Sequence, residues 1–218
     1  MATRHPQWSD EYWLLLMQLY LRKPVGVKAL YSRQLVELAL ELHIPPQFLY
    51  EQMFRLRTID TPRMQRLWEV YGNNPRRLSR GVKLLRQKLG YADLFYDGVE
   101  VNETWEKDFK EFRVEGIGTP LTPVMLILVL DLYFRLTPLT MVAETPEIQE
   151  LARLLKMKPQ EVVDIMEVYQ FCDPYLNRND FLTSPLLVPC QQLWQRFGNG
   201  SPQKLAALAA QLKEYFAK

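Results

Sequence analysis

The sequence predicts an all-α fold, a tandem duplication of a roughly five-helix bundle that contains a helix-turn-helix-like pair. Three observations predict it. Apolar residues recur at helical spacing in both halves, as at Leu35, Leu38, Ala39 and Leu42 and again at Ile148, Leu151, Ala152 and Leu155. Prolines stand where helices open, at Pro46, Pro75, Pro123, Pro146, Pro159 and Pro202, where the missing N–H costs nothing. The chain also matches itself at one constant offset. Leu19-Tyr20-Leu21-Arg22 falls on Leu132-Tyr133-Phe134-Arg135, Glu37-Leu38-Ala39 on Glu150-Leu151-Ala152, Pro46-Gln47 on Pro159-Gln160, Met53 on Met166 and Asp60 on Asp173. A single offset held over about 45 residues is the mark of a repeated unit.

The elements follow in order. Ser9 caps a first helix over Asp10 to Leu21 that is apolar on every side, as a surrounded helix must be. Its counterpart is Pro123 to Phe134, capped by Thr122. The second helix opens after Ser32 in one copy, and after Thr145 in the other. A short turn follows, His43-Ile44-Pro45 or Lys156-Met157-Lys158, and then a third helix that ends near Asp60 or Asp173. A fourth helix spans Arg63 to Tyr71. Leu67-Trp68 and Tyr71-Gly72-Asn73 pair with Leu193-Trp194 and Phe197-Gly198-Asn199 beyond a longer proline-bearing loop, and Gly72 and Gly198 are expected as helix C-caps. Pro75 and Pro202 open a fifth helix in each copy. The expected domains are therefore a basic repeat over 1–90, a linker over 91–120 and a near-neutral repeat over 121–218. Within the linker, Asp97-Gly98 suggests a hairpin turn, the acidic run from Asn102 a short helix, and Gly116, Gly118 and Pro120 a flexible joint.

Composition bounds the function. Apolar residues make up 48% of the chain and aromatic ones 12%, enough for well-filled cores. The net charge is only +2, so any case for a polyanionic partner rests on where the charge sits. The two cysteines, Cys172 and Cys190, form no CxxC pair and read as reduced core residues. The first ten residues lack the apolar run of a signal peptide, and the longest apolar run, Leu121 to Leu132, is too short to span a bilayer. The expectation is a cytoplasmic protein with no membrane partner.

Helix, tight turn, helix, at Gln34 to Thr58 and Glu147 to Phe171, is the arrangement in which a second helix enters a DNA groove. Plain packing of two antiparallel helices gives the same pattern. Charge separates the copies. From Met53 to Gly90 the basic residues are Arg55, Arg57, Arg63, Arg66, Arg76, Arg77, Arg80, Lys83, Arg86 and Lys88, opposed only by Asp60 and Glu69. Arg76, Arg80 and Lys83 share a face of the fifth helix, away from the stripe of Leu78, Val82, Leu85 and Leu89. Such a cluster can neutralise phosphates and release their counterions. The competing reading is a solvated face, or one docked on the acidic segment Glu100 to Glu115. In the second copy the third helix offers Gln160, Glu161, Asp164 and Glu167, which phosphate would avoid. Double-stranded DNA is thus expected on the first copy, with Gln47, Tyr50, Glu51 and Arg55 as base contacts. A protein partner is left for the second, and the alternative reading is a protein–protein adaptor whose repeats are scaffold and whose basic patch matches an acidic partner.

One stretch also carries a likeness. Pro159 to Asp173-Pro174, with Tyr169-Gln170-Phe171-Cys172-Asp173-Pro174 at its end, is followed by Leu193-Trp194-Gln195-Arg196-Phe197 and Pro202. It resembles the helical N-terminal domain of bacterial HNH endonucleases of the McrA kind. There a helix pair leads into an Asn-Phe-x-x-Leu-Asp-Pro segment and a Trp-x-x-Phe helix. The resemblance implies DNA recognition and a bacterial family. No nuclease module follows, however, and the only histidines are His5 and His43. Nothing else calls for catalysis: there is no GxGxxG, Walker A or HExxH, and no cofactor or metal is implied. Asp173, Asn177, Asn179 and Asp180 lack EF-hand spacing and read as a capped turn.

Overall fold

The computed structural model describes residues 5–59, 61–89, 104–176, 178 and 183–217. Among these it is all-helical, with eleven α-helices and no strand. The chain divides into two compact units, Met1–Asn102 and Glu103–Lys218. The hairpin expected around Asp97-Gly98 lies outside the described residues, as do Asp60 and most of the 177–182 loop.

In the first unit the central element is α1, Trp13–Leu21, entered through one 3-10 turn, Asp10–Tyr12. Its side chains are apolar all round, so it needs neighbours on every side, and α2 (Arg33–Leu42), α3 (Pro46–Thr58) and α5 (Pro75–Leu89) supply them. Between α1 and α2 the buried Lys28 donates its ammonium to the carbonyls of Arg22, at 2.7 Å, and Pro24, closing the loop. The α2–α3 turn is tight because His43 takes the left-handed conformation (φ 52°). The N–H of Ile44 then reaches back to the Ala39 carbonyl at 3.1 Å, while the Ile44 side chain is buried.

The fourth helix differs from the expected Arg63 to Tyr71. A regular α4, Pro62–Leu67, runs into one π-helical turn, Trp68–Gly72. Gly72 is not a left-handed cap; the only positive-φ glycines among the described residues are Gly26 and Gly116. The ring of Trp68 explains it, since a Cβ on Gly72 would stand 2.8 Å from that ring.

The second unit opens with α6, Thr104–Asp108. Phe112 and Leu121 then pair their backbones at 2.8 and 2.9 Å. The glycine-rich stretch between them, expected as a joint, is fastened down. Glu161 accepts from the Gly118 N–H at 2.9 Å and from the Thr119 hydroxyl at 3.2 Å. The central helix is α7, Pro123–Tyr133, buried from Val124 onward, with Thr122 capping it through the Met125 N–H. Around it pack α8 (Pro146–Leu155), α9 (Pro159–Cys172), α10 (Leu187–Leu193) and α11 (Pro202–Leu212). Thr145 occupies the cap position of α8, but its hydroxyl donates to the Thr140 carbonyl at 2.5 Å instead of accepting from the helix.

Part of the element order repeats at one offset. Helices α2 and α8 both begin and end 113 positions apart, as do the openings of α3 and α9. Lys156 repeats the left-handed turn (φ 57°), with Met157 bonded back to Ala152 at 2.8 Å. The π turn recurs at Trp194–Gly198, where a Cβ on Gly198 would come within 2.6 Å of the Trp194 ring.

Candidate nucleic-acid interface

The candidate surface is built on α5. Asn74 opens it by accepting from the Arg77 N–H at 3.0 Å, and Leu78, Val82 and Leu85 are buried against the unit. Gly81 and Arg86 are half-buried, and the other described side chains of the helix face solvent. Arg76, Arg80 and Lys83 are spaced by four and three residues, so they stack along one line, and all three are exposed. Arg77, also exposed, lies with its guanidinium 5.6 Å from the centre of the Tyr71 ring. Between Pro75 and Leu89 there is no acidic residue at all. Among the described residues, no carboxylate pairs with Arg76, Arg77, Arg80 or Lys83. Arg66 on α4 and Arg57 at the end of α3 are likewise exposed and form no ion pair among the described residues.

The other expected cations are engaged inside the unit. Arg86, expected among the nucleic-acid-binding residues, holds Glu41 at the end of α2 with two bonds, 2.6 and 2.7 Å. It is half-buried and serves as a clamp between α5 and α2. Arg63 pairs with Asp10, and Lys88 with Glu11 at 2.8 Å. Arg55 bonds the Gln52 side chain at 3.1 Å and lies 5.8 Å from the Trp13 ring, so its charge is directed along α3 and toward α1.

At the expected base-reading end of α3, Gln47 and Glu51 are exposed and Tyr50 and Arg55 half-buried. Gln47 donates to Glu51 at 3.0 Å, which places a carboxylate at the helix's first exposed turn. Tyr50 is half-buried, with its ring edge-on to Phe54 at 5.1 Å. Chain before α1 also covers this end: the rings of His5 and Trp8 lie 5.5 and 5.4 Å from Phe48. Helix α3 packs on α1 and α2, and α5 on α1 and the π turn. The structure thus gathers Arg76, Arg77, Arg80 and Lys83 on one helix and leaves Gln47 and Tyr50 on another.

In the second unit the outer line of α9, Gln160, Asp164 and Glu167, is exposed, and Gln160 donates to Asp164 at 2.9 Å. Asp173 spends its carboxylate on the Tyr133 hydroxyl at 2.8 Å and the Tyr175 N–H at 2.9 Å. Both cysteines are free. Burial pushes the Cys172 thiol up to about 11, and burial with the nearby Cys172 pushes Cys190 up to about 12. Among the described residues no group of three His, Cys, Asp or Glu side chains could hold a metal ion, and no helix is long and apolar enough to cross a membrane. No protein-family model, curated protein or solved structure matches the chain.

Proposed function

We propose that the chain is a non-enzymatic DNA-binding protein that arose by duplication of one helical unit, and that the first unit's α5 grips the phosphate backbone. One observation carries the reading. Helix α5 holds Arg76, Arg77, Arg80 and Lys83 on its exposed side with no acid of its own. Like charges three and four residues apart destabilise an isolated helix by about 0.2–0.5 kcal/mol per pair. A local conflict of this kind, with no acidic partner among the described residues, is typical of a functional surface. A polyanion lying along the helix removes the repulsion, and mostly Arg side chains grip phosphate in a fork. The shared offset of the α2 and α8 bounds and of the α3 and α9 openings supports the duplication. The likeness to the McrA-type helical domain points in the same direction, toward DNA and a bacterial cytoplasm.

The test is a gel-shift series on random-sequence duplex at low and moderate salt. Binding is expected at low salt and should weaken steeply as salt rises, and the double substitution Arg76→Ala/Arg80→Ala should remove most of it. Absence of binding at low salt, or indifference to the double substitution, ends the proposal.

A second reading, a protein–protein adaptor, has its own observation in the second unit. Leu139 is 91% exposed, on a turn that carries hydrogen bonds among Thr137, Thr140 and Thr145. It predicts a partner whose capture is insensitive to salt and lost in Leu139→Asp.

A further inference from the structure

A cavity of about 370 Å³ opens in the first unit between the start of α1 and the α4–π turn segment. Its size is at the low end for small-ligand pockets, room for a base and its sugar. Leu14, Leu67, Val70 and Tyr71 form half-exposed apolar walls, and the buried Trp13 also lines it. Asp10, Glu11, Arg63 and Arg66 stand at its rim.

The cavity is joined to the basic helix. A Cβ on Gly81 of α5 would lie 3.7 Å from both Leu14 and the Tyr71 ring, so the backbone of α5 runs directly behind two of the walls. Arg77 sits over that same tyrosine ring. A strand whose phosphate lies on Arg77 therefore has its neighbouring base close to the Tyr71 wall.

The rim offers both acceptors and donors to the edge of a base. Two carboxylates, Asp10 and Glu11, stand there beside Arg63 and Arg66, and each is paired with a cation. Both are fixed in place, Asp10 by Arg63 and Glu11 by Lys88. Fixed carboxylates accept hydrogen bonds from donor edges such as the exocyclic amino groups of bases. The apolar and aromatic walls suit the flat faces of a base, which stacks on side chains whatever its identity.

We propose that this cavity receives one unpaired nucleobase from the strand held by α5, so that the preferred ligand is nucleic acid with an unstacked base, and intact duplex is the weaker one. The proposal rests on the nucleic-acid reading above. A base inside a perfect duplex is stacked on both faces and must be extruded before it can enter, at a cost that a mismatch or bulge removes.

The experiment compares three oligonucleotides by fluorescence anisotropy on the intact chain at low salt: a perfect duplex, the same duplex with one bulged base, and the same duplex with an abasic bulge. The bulged base should bind about tenfold or more tighter than either other ligand, within the range that stacking one base supplies. Filling the cavity with Val70→Trp should bring the bulge down to duplex affinity while duplex binding holds. Leu67→Trp serves as a second filling variant, with thermal melts confirming that each variant folds. Arg80→Ala should weaken all three ligands. Equal binding of all three, or a preference that survives both filling variants, overturns the cavity's role and leaves duplex binding by α5 intact. No binding of any ligand overturns both.

Discussion

Glu161 shows how much one side chain can organise. It is 6% exposed, and its carboxylate accepts from the N–H groups of Lys158 and Gly118, each at 2.9 Å, and from the Thr119 hydroxyl. Burial by itself would raise its pKa. The two backbone N–H groups, the hydroxyl and the Lys158 charge outweigh burial and hold it below the usual carboxylate range. A depressed acid stabilises the fold in full above the ordinary glutamate range, and that stabilisation is lost as pH falls through the depressed value. Glu161→Gln keeps the shape but turns an amide N–H₂ toward donors, so it should cost about 1–3 kcal/mol in urea unfolding at neutral pH. The difference from the parent chain should shrink steadily on acidification, and a constant difference down to pH 3 would contradict the role given to the charge. The thiols make a second prediction at this scale. With Cys172 at about 11 and Cys190 at about 12, very little thiolate exists at pH 8. A thiol-reactive dye should label the folded chain slowly and both cysteines rapidly in guanidinium. Fast labelling of the native protein would show that the burial is wrong.

At the scale of elements, the π turn is the feature with the narrowest tolerance. The α-helical ladder shifts register at Trp194, and the indole folds over the backbone of Gly198, where a Cβ would sit 2.6 Å from the ring. Trp194 cannot retreat, because Tyr133, Phe134 and Tyr169 surround it at ring distances of 5.9, 5.4 and 6.4 Å. Gly198→Ala is therefore overpacking against a fixed ring and should cost about 1–3 kcal/mol in thermal or denaturant unfolding. An unchanged midpoint would mean the turn relaxes freely. The two glycines were legible as helix ends but not as ring contacts. Left-handed caps are the usual reason for a glycine there, and nothing in a Trp-x-x-x-Gly spacing by itself announces a register shift. Helix openings were legible because their causes are local: a proline, a capping hydroxyl at Thr122, an apolar stripe. The division of the basic residues into engaged and unengaged was not. Arg86 finds Glu41 across 45 positions, Arg63 finds Asp10 across 53 and Lys88 finds Glu11 across 77, and no window of sequence contains both partners. For the same reason the cavity beside Tyr71, assembled from α1, α4 and the π turn, left no trace in the linear pattern.

For the whole molecule, the consequence is a count. A net charge of +2 says little, and ten basic residues in one stretch says too much. Once Arg55, Arg63, Arg86 and Lys88 are assigned to contacts within their own unit, α5 offers Arg76, Arg77, Arg80 and Lys83, with Arg57 and Arg66 on neighbouring helices. The logarithm of the duplex binding constant falls against the logarithm of salt by about 0.9 for each phosphate neutralised. If α5 alone makes the contact, the slope should be roughly −3 to −4, whereas a surface using every basic side chain of the stretch would give roughly −9. Each single Ala substitution at Arg76, Arg77, Arg80 or Lys83 should flatten that slope by about one, and Arg86→Ala should leave it unchanged while lowering stability by about 1 kcal/mol, the loss of a half-exposed ion pair. Hydrogen exchange on the intact chain with bound duplex gives the spatial check. Protection should rise over 75–89 and stay flat over 159–172, whose outer line of Gln160, Asp164 and Glu167 has no attraction for phosphate. The reverse pattern would transfer the interface to the second unit and make the charge asymmetry between the two irrelevant to binding.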